Sequence, residues 1–155
     1  MAATSQLTAT LRLGLAQIDS KLGDVAANVE KACALINDAR QRDLDGALLT
    51  IPADSPAYSY ARLDGRGLVR ETREKEVISN HAIAGAYYFA RGSDFVDAAI
   101  DMLIYGDRQK GEYYMSNVYN HLIGKGKTVG VFRVPTERYC CVGTPEQLET
   151  YLRGS

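Results

Sequence analysis

Two apolar runs, GALLTIP at 46–52 and AIAGAYYFA at 82–90, bracket a turn-rich, charged segment. Runs of this length are short for an ordinary helix and suit strands with both faces covered. Pro52, Asp54, Ser55 and Pro56 end the first run. YSYARLD and LVRET follow, separated by Gly65, Arg66 and Gly67, and their alternation predicts a glycine-turn hairpin with one solvated face. Gly85 inside the second run marks either a β-bulge or a close approach to the backbone.

The flanking residues supply helices. LRLGLAQI at 11–18, ended by Asp19 and Ser20, predicts a further buried strand. From Asp24 the residues Val25, Val29, Ala32, Cys33 and Ile36 make one stripe at helical period, predicting a helix to about Gln41 with Cys33 in the core. A strand, a helix and a strand in this order imply a right-handed crossover, with residues 11–18 pairing in parallel with 46–52. Ser93 is the expected cap of a helix carrying Phe95, Ala98, Ala99, Met102 and Leu103, stopped by Gly106. Tyr114, Val118, Leu122 and Ile123 predict another, closed by Gly124 and Gly126. TVGVFRVP reads as a strand with Val129 and Val131 opposed to Gly130, Phe132 and Val134. Thr144, Pro145 and Gln147 combine a capping box with proline at the first helical position, opening a last helix to about Leu152. The expected fold is one α/β domain over residues 11–152: a mixed, mainly parallel, Rossmann-like sheet flanked by helices, with a β-hairpin. Residues 1–10 read as a leader and 153–155 as a tag remnant.

Composition removes several functions. The 155 residues suit one core, and 46% apolar with 24% charged residues is the balance of a globular protein. A net charge of -1 without a basic stripe argues against a nucleic-acid partner. The sequence contains no apolar run of the roughly 20 residues needed to span a bilayer, so a cytoplasmic protein without a membrane partner is expected. Cys33, Cys140 and Cys141 are odd in number and two are adjacent, which fits a reducing compartment. With only His81 and His121, and no CxxC, no metal site is expected.

DGALLT, SPAYSYARLD, REKEVISNHAIAGAYYF, GEYYMSNVYNHLI and GTPEQLETYL together make residues from about 43 to 152 resemble the C-terminal part of sugar-phosphate nucleotidyltransferases. Residues 11 to about 40, through LAQIDxKxGDxxxNxxK, resemble instead the first strand and helix of carbon-nitrogen hydrolases, the nitrilase-like amidases. The pair of resemblances implies a recombined or designed chimera joined between Ala39 and Leu49. Amidase chemistry is missing, because the glutamate position of that family is Ala53 and the parts holding its lysine and cysteine are absent. The resemblance to nucleotidyltransferases implies a glycine-rich loop and magnesium. This chain has no GxGxRxxP-like loop, and Cys141 stands where many members place an aspartate ligand, so no cofactor is expected.

The sugar-phosphate side of that family's site has matches. Glu74 and Lys75 correspond to its Glu-Lys pair, Gly85 to a glycine beside the sugar, and Glu112 and Asn120 to polar positions near the pocket. Each has a plainer reading: RETREKE as a solvated charge run, Gly85 as a bulge, Glu112 and Asn120 as surface and capping residues. His81 reads as a satisfied, partly buried histidine. The expectation is a non-catalytic domain that retains part of a sugar-phosphate pocket and binds such ligands weakly. The alternatives are a transferase fragment completed by assembly, and an interaction module. Sheet edges and apolar faces left uncovered predict a homo-oligomer, with a swapped segment as one form.

Overall fold

A computed structural model describes residues 25–153. The order of elements is α1 (Val25–Gln41), β1 (Gly46–Ile51), β2 (Ser59–Leu63), β3 (Val69–Glu74), β4 (Ala82–Phe89), α2 (Gly92–Ile104), α3 (Met115–Gly124), β5 (Val129–Arg133), a 3-10 turn (Thr136–Arg138) and α4 (Pro145–Arg153). The strands form one five-stranded mixed sheet in the order β3-β2-β4-β1-β5. This is an α/β domain of the expected class.

The sheet has two covered faces. Leu48, Ala61, Val69, Ile83 and Val129 pack with Ala98 and Met102 of α2 and with Val118, Tyr119 and Leu122 of α3. On the other face Leu49, Ile51, Tyr60, Ala82 and Ala84 gather Leu35 of α1 and Phe132, while Ala39, Leu44 and Ala47 continue that layer. Neighbours in β1 thus serve opposite layers, as the pleat requires, and all six of its residues are buried. Tyr119 is fully buried because its hydroxyl donates to the carbonyls of Ala47 at 3.2 Å and Tyr88 at 2.9 Å.

Several expectations need correction. The pairing is not mainly parallel: β1 with β5 is parallel, and β1 with β4, β2 with β3 and β2 with β4 are antiparallel. Short connections through β2, β3 and β4 leave no room for the crossovers that parallel pairs need. Residues 11–18 lie outside the described residues, but β1 already has β4 on one edge and β5 on the other, so parallel pairing with 46–52 has no edge to use. Cys33 is exposed and Val29 is 54% exposed, whereas Ala39 is fully buried and Leu35 packs inward. The buried stripe of α1 is rotated by about 60° from the expected one at ~100° per residue, since the short connection to β1 brings Ala39 and Leu44 against the sheet. Ser93 is not the cap of α2; Arg91 occupies that position, with Nε on Asp94 at 3.0 Å.

Other local signals hold. Asp64 Oδ1 accepts the amides of Arg66 at 2.8 Å and Leu68 at 3.0 Å, closing the hairpin, and Gly67 takes φ +78°. At α4 the Thr144 amide donates to Gln147 Oε1 at 3.0 Å and the Gln147 amide to Thr144 Oγ1 at 3.3 Å, a reciprocal capping box. No helix among the described residues is long and apolar enough to cross a membrane.

Candidate functional site

The last residue of β3 carries the most constrained carboxylate. Alternation at the end of β3 turns Thr72 and Glu74 inward and Arg73 outward, and a register shift past Arg70 buries Val69 as well, leaving Glu74 5% exposed. Its partner across the ladder is Ser59. Ser59 Oγ donates a hydrogen bond to Glu74 Oε2, and Ser116 Oγ at the start of α3 donates to the same oxygen at 2.9 Å. Two hydroxyls on one oxygen hold the carboxylate in place and leave Oε1 as the atom that can take a further donor. Gln109, on the loop between α2 and α3, donates to the Glu74 carbonyl at 2.6 Å and ties that loop to the strand end. The Tyr87 phenol is pushed up to about 12, chiefly by burial and then by the charge of Glu74. Glu74 is therefore not part of a solvated charge run, although its neighbours Arg73 and Lys75 are exposed.

Lys75 leaves the strand in the left-handed region, at φ +55°, with its amide on the Tyr58 carbonyl at 3.0 Å. That turn separates the two side chains: Glu74 goes into the core and Lys75 into solvent. Lys75 Nζ lies 3.4 Å from the Tyr114 hydroxyl and 5.4 Å from the ring centroid, and Tyr114 donates to Glu112 Oε2 at 2.7 Å. Glu112, Tyr114 and Lys75 thus form one exposed polar group beside the buried carboxylate.

Gly85 and Asn120 are not part of that group. Gly85, at φ +80°, sits in a bulge of β4 where the register jumps from Leu48 opposite Tyr87 to Thr50 opposite Ile83. It meets the site only through Tyr87, two residues on. Asn120 is engaged with the backbone of β3: Oδ1 accepts the Thr72 amide at 2.8 Å and Nδ2 donates to the Thr72 carbonyl at 3.0 Å. His81 departs from the satisfied state, because among the described residues its buried Nδ1 has no partner. Burial, and then the charge of Arg133, lower its pKa. Ser59, Tyr87, Gln109, Tyr114 and Ser116 were not singled out from the sequence as site residues; only the cross-strand pairing and the packing of α3 and its preceding loop on β3 bring them near Glu74 and Lys75.

Solved structures resemble this arrangement of elements. The nucleoside-diphosphate-sugar pyrophosphorylase from Vibrio cholerae RC9 superposes with a TM-score of 0.69 at 26% identity, covering 74% of this chain and 48% of that one. The chain has a nucleotidyltransferase-like fold. A protein assigned as a glucose-1-phosphate thymidylyltransferase from Bacillus anthracis, in complex with sucrose, gives 0.54 at 17% identity, with 76% and 46% covered. CMP:2-keto-3-deoxy-manno-octonic acid synthetase complexed with CTP gives 0.50 at 15%, with 79% and 54% covered. The chain thus spans about half the length of these nucleotidyltransferases. No protein-family model matches it, and no curated protein is significantly similar to it.

Cys141, where the resemblance to nucleotidyltransferases implies a magnesium ligand, has surroundings that do not suit that ion. Its thiol donates to Gln147 Oε1 at 3.2 Å. The phenols of Tyr58 and Tyr139, paired edge-on with ring centroids 6.5 Å apart, have raised pKa values, chiefly from burial and then from Cys141 beside them. A soft sulfur among phenols and an amide is a poor donor set for a cation that selects hard oxygens. Among the described residues no three His, Cys, Asp or Glu side chains gather as metal ligands. A shallow cavity of about 290 Å³ at the start of α4, lined by Cys140, Cys141, Glu146, Gln147, Thr150 and Tyr151, includes none of the residues around Glu74.

Proposed function

We infer that this chain is a non-catalytic nucleotidyltransferase-like domain that keeps the sugar-phosphate side of a site and binds phosphorylated sugars weakly. The observation that carries the reading is Glu74 held by Ser59 and Ser116 with Lys75 beside it in a left-handed turn. A fixed carboxylate oxygen accepts sugar hydroxyls, and an exposed ammonium faces a phosphate. Glu112 and Tyr114 extend the polar surface next to Lys75. The names of the similar structures, a nucleoside-diphosphate-sugar pyrophosphorylase and a glucose-1-phosphate thymidylyltransferase, agree with a ligand of that class.

Calorimetric titration of glucose 1-phosphate into the native chain and into Lys75→Ala tests it. Binding that Lys75→Ala weakens, with no pyrophosphate released on adding nucleoside triphosphate and magnesium, is the expected result. Equal and negligible heats for both proteins would end the reading.

A second reading is a transferase fragment completed by another copy. It is favoured by the share of each neighbour left uncovered, with 48% of the pyrophosphorylase spanned. It also draws on the outer stripe of α2, where Val96, Ile100, Leu103 and Ile104 are exposed at helical spacing. That reading predicts a homo-oligomer by light scattering and Lys75-dependent pyrophosphate release, neither of which the first requires.

A further inference from the structure

Cys140 and Cys141 follow one another between the 3-10 turn and α4, and both are free thiols, the first exposed and the second half-buried. Both line the cavity of about 290 Å³ at the start of α4. Gln147 Oε1 accepts the Cys141 thiol at 3.2 Å as well as the Thr144 amide at 3.0 Å, so the first turn of α4 fixes where that sulfur points. The intervening loop folds close over it: a Cβ on Gly143 would stand 3.9 Å from Cys141 Sγ and 3.5 Å from Gln147 Oε1. The Tyr139 phenol lies within electrostatic reach of both sulfurs, being raised first by burial, then by Cys141, and to a smaller extent by Cys140. The sugar-phosphate site around Glu74 makes no use of this pair.

Three constraints narrow the ligand. Consecutive Cα atoms stand about 3.8 Å apart across a trans peptide, short of the roughly 4.4–6.8 Å that a relaxed disulfide spans, so closing the two sulfurs directly on each other stores strain. An atom set between them lengthens the ring and removes that demand. Structural zinc takes four nitrogen or sulfur donors, and among the described residues no three His, Cys, Asp or Glu side chains gather as metal ligands. Glu146 lines the same cavity, and hydrogen bonds from its own amide and from Thr144 lower its pKa, so its carboxylate repels phosphate and other anions. A trivalent arsenic centre meets all three conditions: it is thiophilic and uncharged, and it takes three ligands in a pyramid, two of which can be sulfur. We propose that Cys140 and Cys141 form a dithiol site for a trivalent arsenical carrying one organic substituent, with that substituent in the cavity beside Thr150 and Tyr151. With an arsenoxide, R–As=O, two As–S bonds form, the arsenic–oxygen bond breaks, and the oxygen leaves as water with both thiol protons. Arsenic stays trivalent, so no oxidant or reductant takes part. Capture removes the Cys141 proton from Gln147 Oε1 and leaves that oxygen to the Thr144 amide.

Intact mass spectrometry of the full-length chain, kept reduced with a phosphine and treated with phenylarsine oxide, tests the proposal. A monothiol strips an arsenical from a lone cysteine, whereas one held by two sulfurs of the same chain resists it and yields to a small dithiol. The expected result is a single adduct per chain, formed with loss of water, that survives excess monothiol and is removed by 2,3-dimercaptopropanol. Cys140→Ser and Cys141→Ser should each lose the resistant adduct, and Cys33→Ser should keep it. A native chain cleared by monothiol would overturn the proposal, as would a resistant adduct in Cys140→Ser, its loss in Cys33→Ser, or an arsenical joining two chains. If Cys141→Ser does not fold, Cys140→Ser, altered at an exposed side chain, decides alone.

Discussion

Glu74 and Lys75 are adjacent in sequence and opposite in environment, and their substitutions should separate accordingly. Removing the carboxylate leaves the hydroxyls of Ser59 and Ser116 without their acceptor in a buried site. Glu74→Ala should therefore cost about 2–3 kcal/mol, read as a lower urea midpoint at unchanged slope, and Glu74→Gln, which keeps an acceptor, should cost less. Lys75 holds φ +55° without being glycine. Lys75→Gly should raise stability by about 0.5–1 kcal/mol relative to Lys75→Ala while both lose the ammonium. A common melting temperature for the two variants would contradict the strained turn. RETREKE alone does not distinguish these fates, since alternating charges look alike whether or not a pair of serines waits across the ladder.

At the scale of elements, α3 is attached to β3 by a side chain and α4 is started by one. Asn120 satisfies the amide and carbonyl of Thr72, a residue with no exposed surface. Asn120→Ala should cost about 2–3 kcal/mol and lower exchange protection first at Thr72 and at the start of α3. Thr144 and Gln147 cap α4, which has no buried residue. Thr144→Ala should cost about 1 kcal/mol, confined to faster amide exchange within Pro145–Arg153. The capping box was legible in Thr144-Pro145-Gln147 because all its partners lie within one turn. The buried side of α1 was not, because Val29 and Cys33 obey the same period as Leu35 and Ala39, and only the sheet selects between them.

For the whole molecule, acid should act in two steps. Burial and the Arg133 charge hold His81 below its ordinary 6.5, so the unfolded chain binds the proton more readily. The stability tied to neutral His81 is complete above that value and is lost as pH falls from there toward the lowered pKa. Asp45 joins Arg91 at 3.2 Å and Lys127 at 3.4 Å. Burial opposes its charge, but the Thr128 amide and those cations outweigh it and lower its pKa. Its contribution persists above the usual carboxylate range and is lost as pH falls through the lowered pKa. A stability profile against pH should show both losses, with His81→Gln removing the first. Sequence alone determined the order of strands and helices after residue 41, the hairpin, the last helix and the α/β class, because periodicity, glycine turns and caps act over a few residues. Tertiary structure alone decided the antiparallel majority, the placement of β5 against β1, the buried face of α1 and the partners of Glu74. Those depend on which backbone edges meet, and an apolar strand carries no local mark of the neighbour it will have.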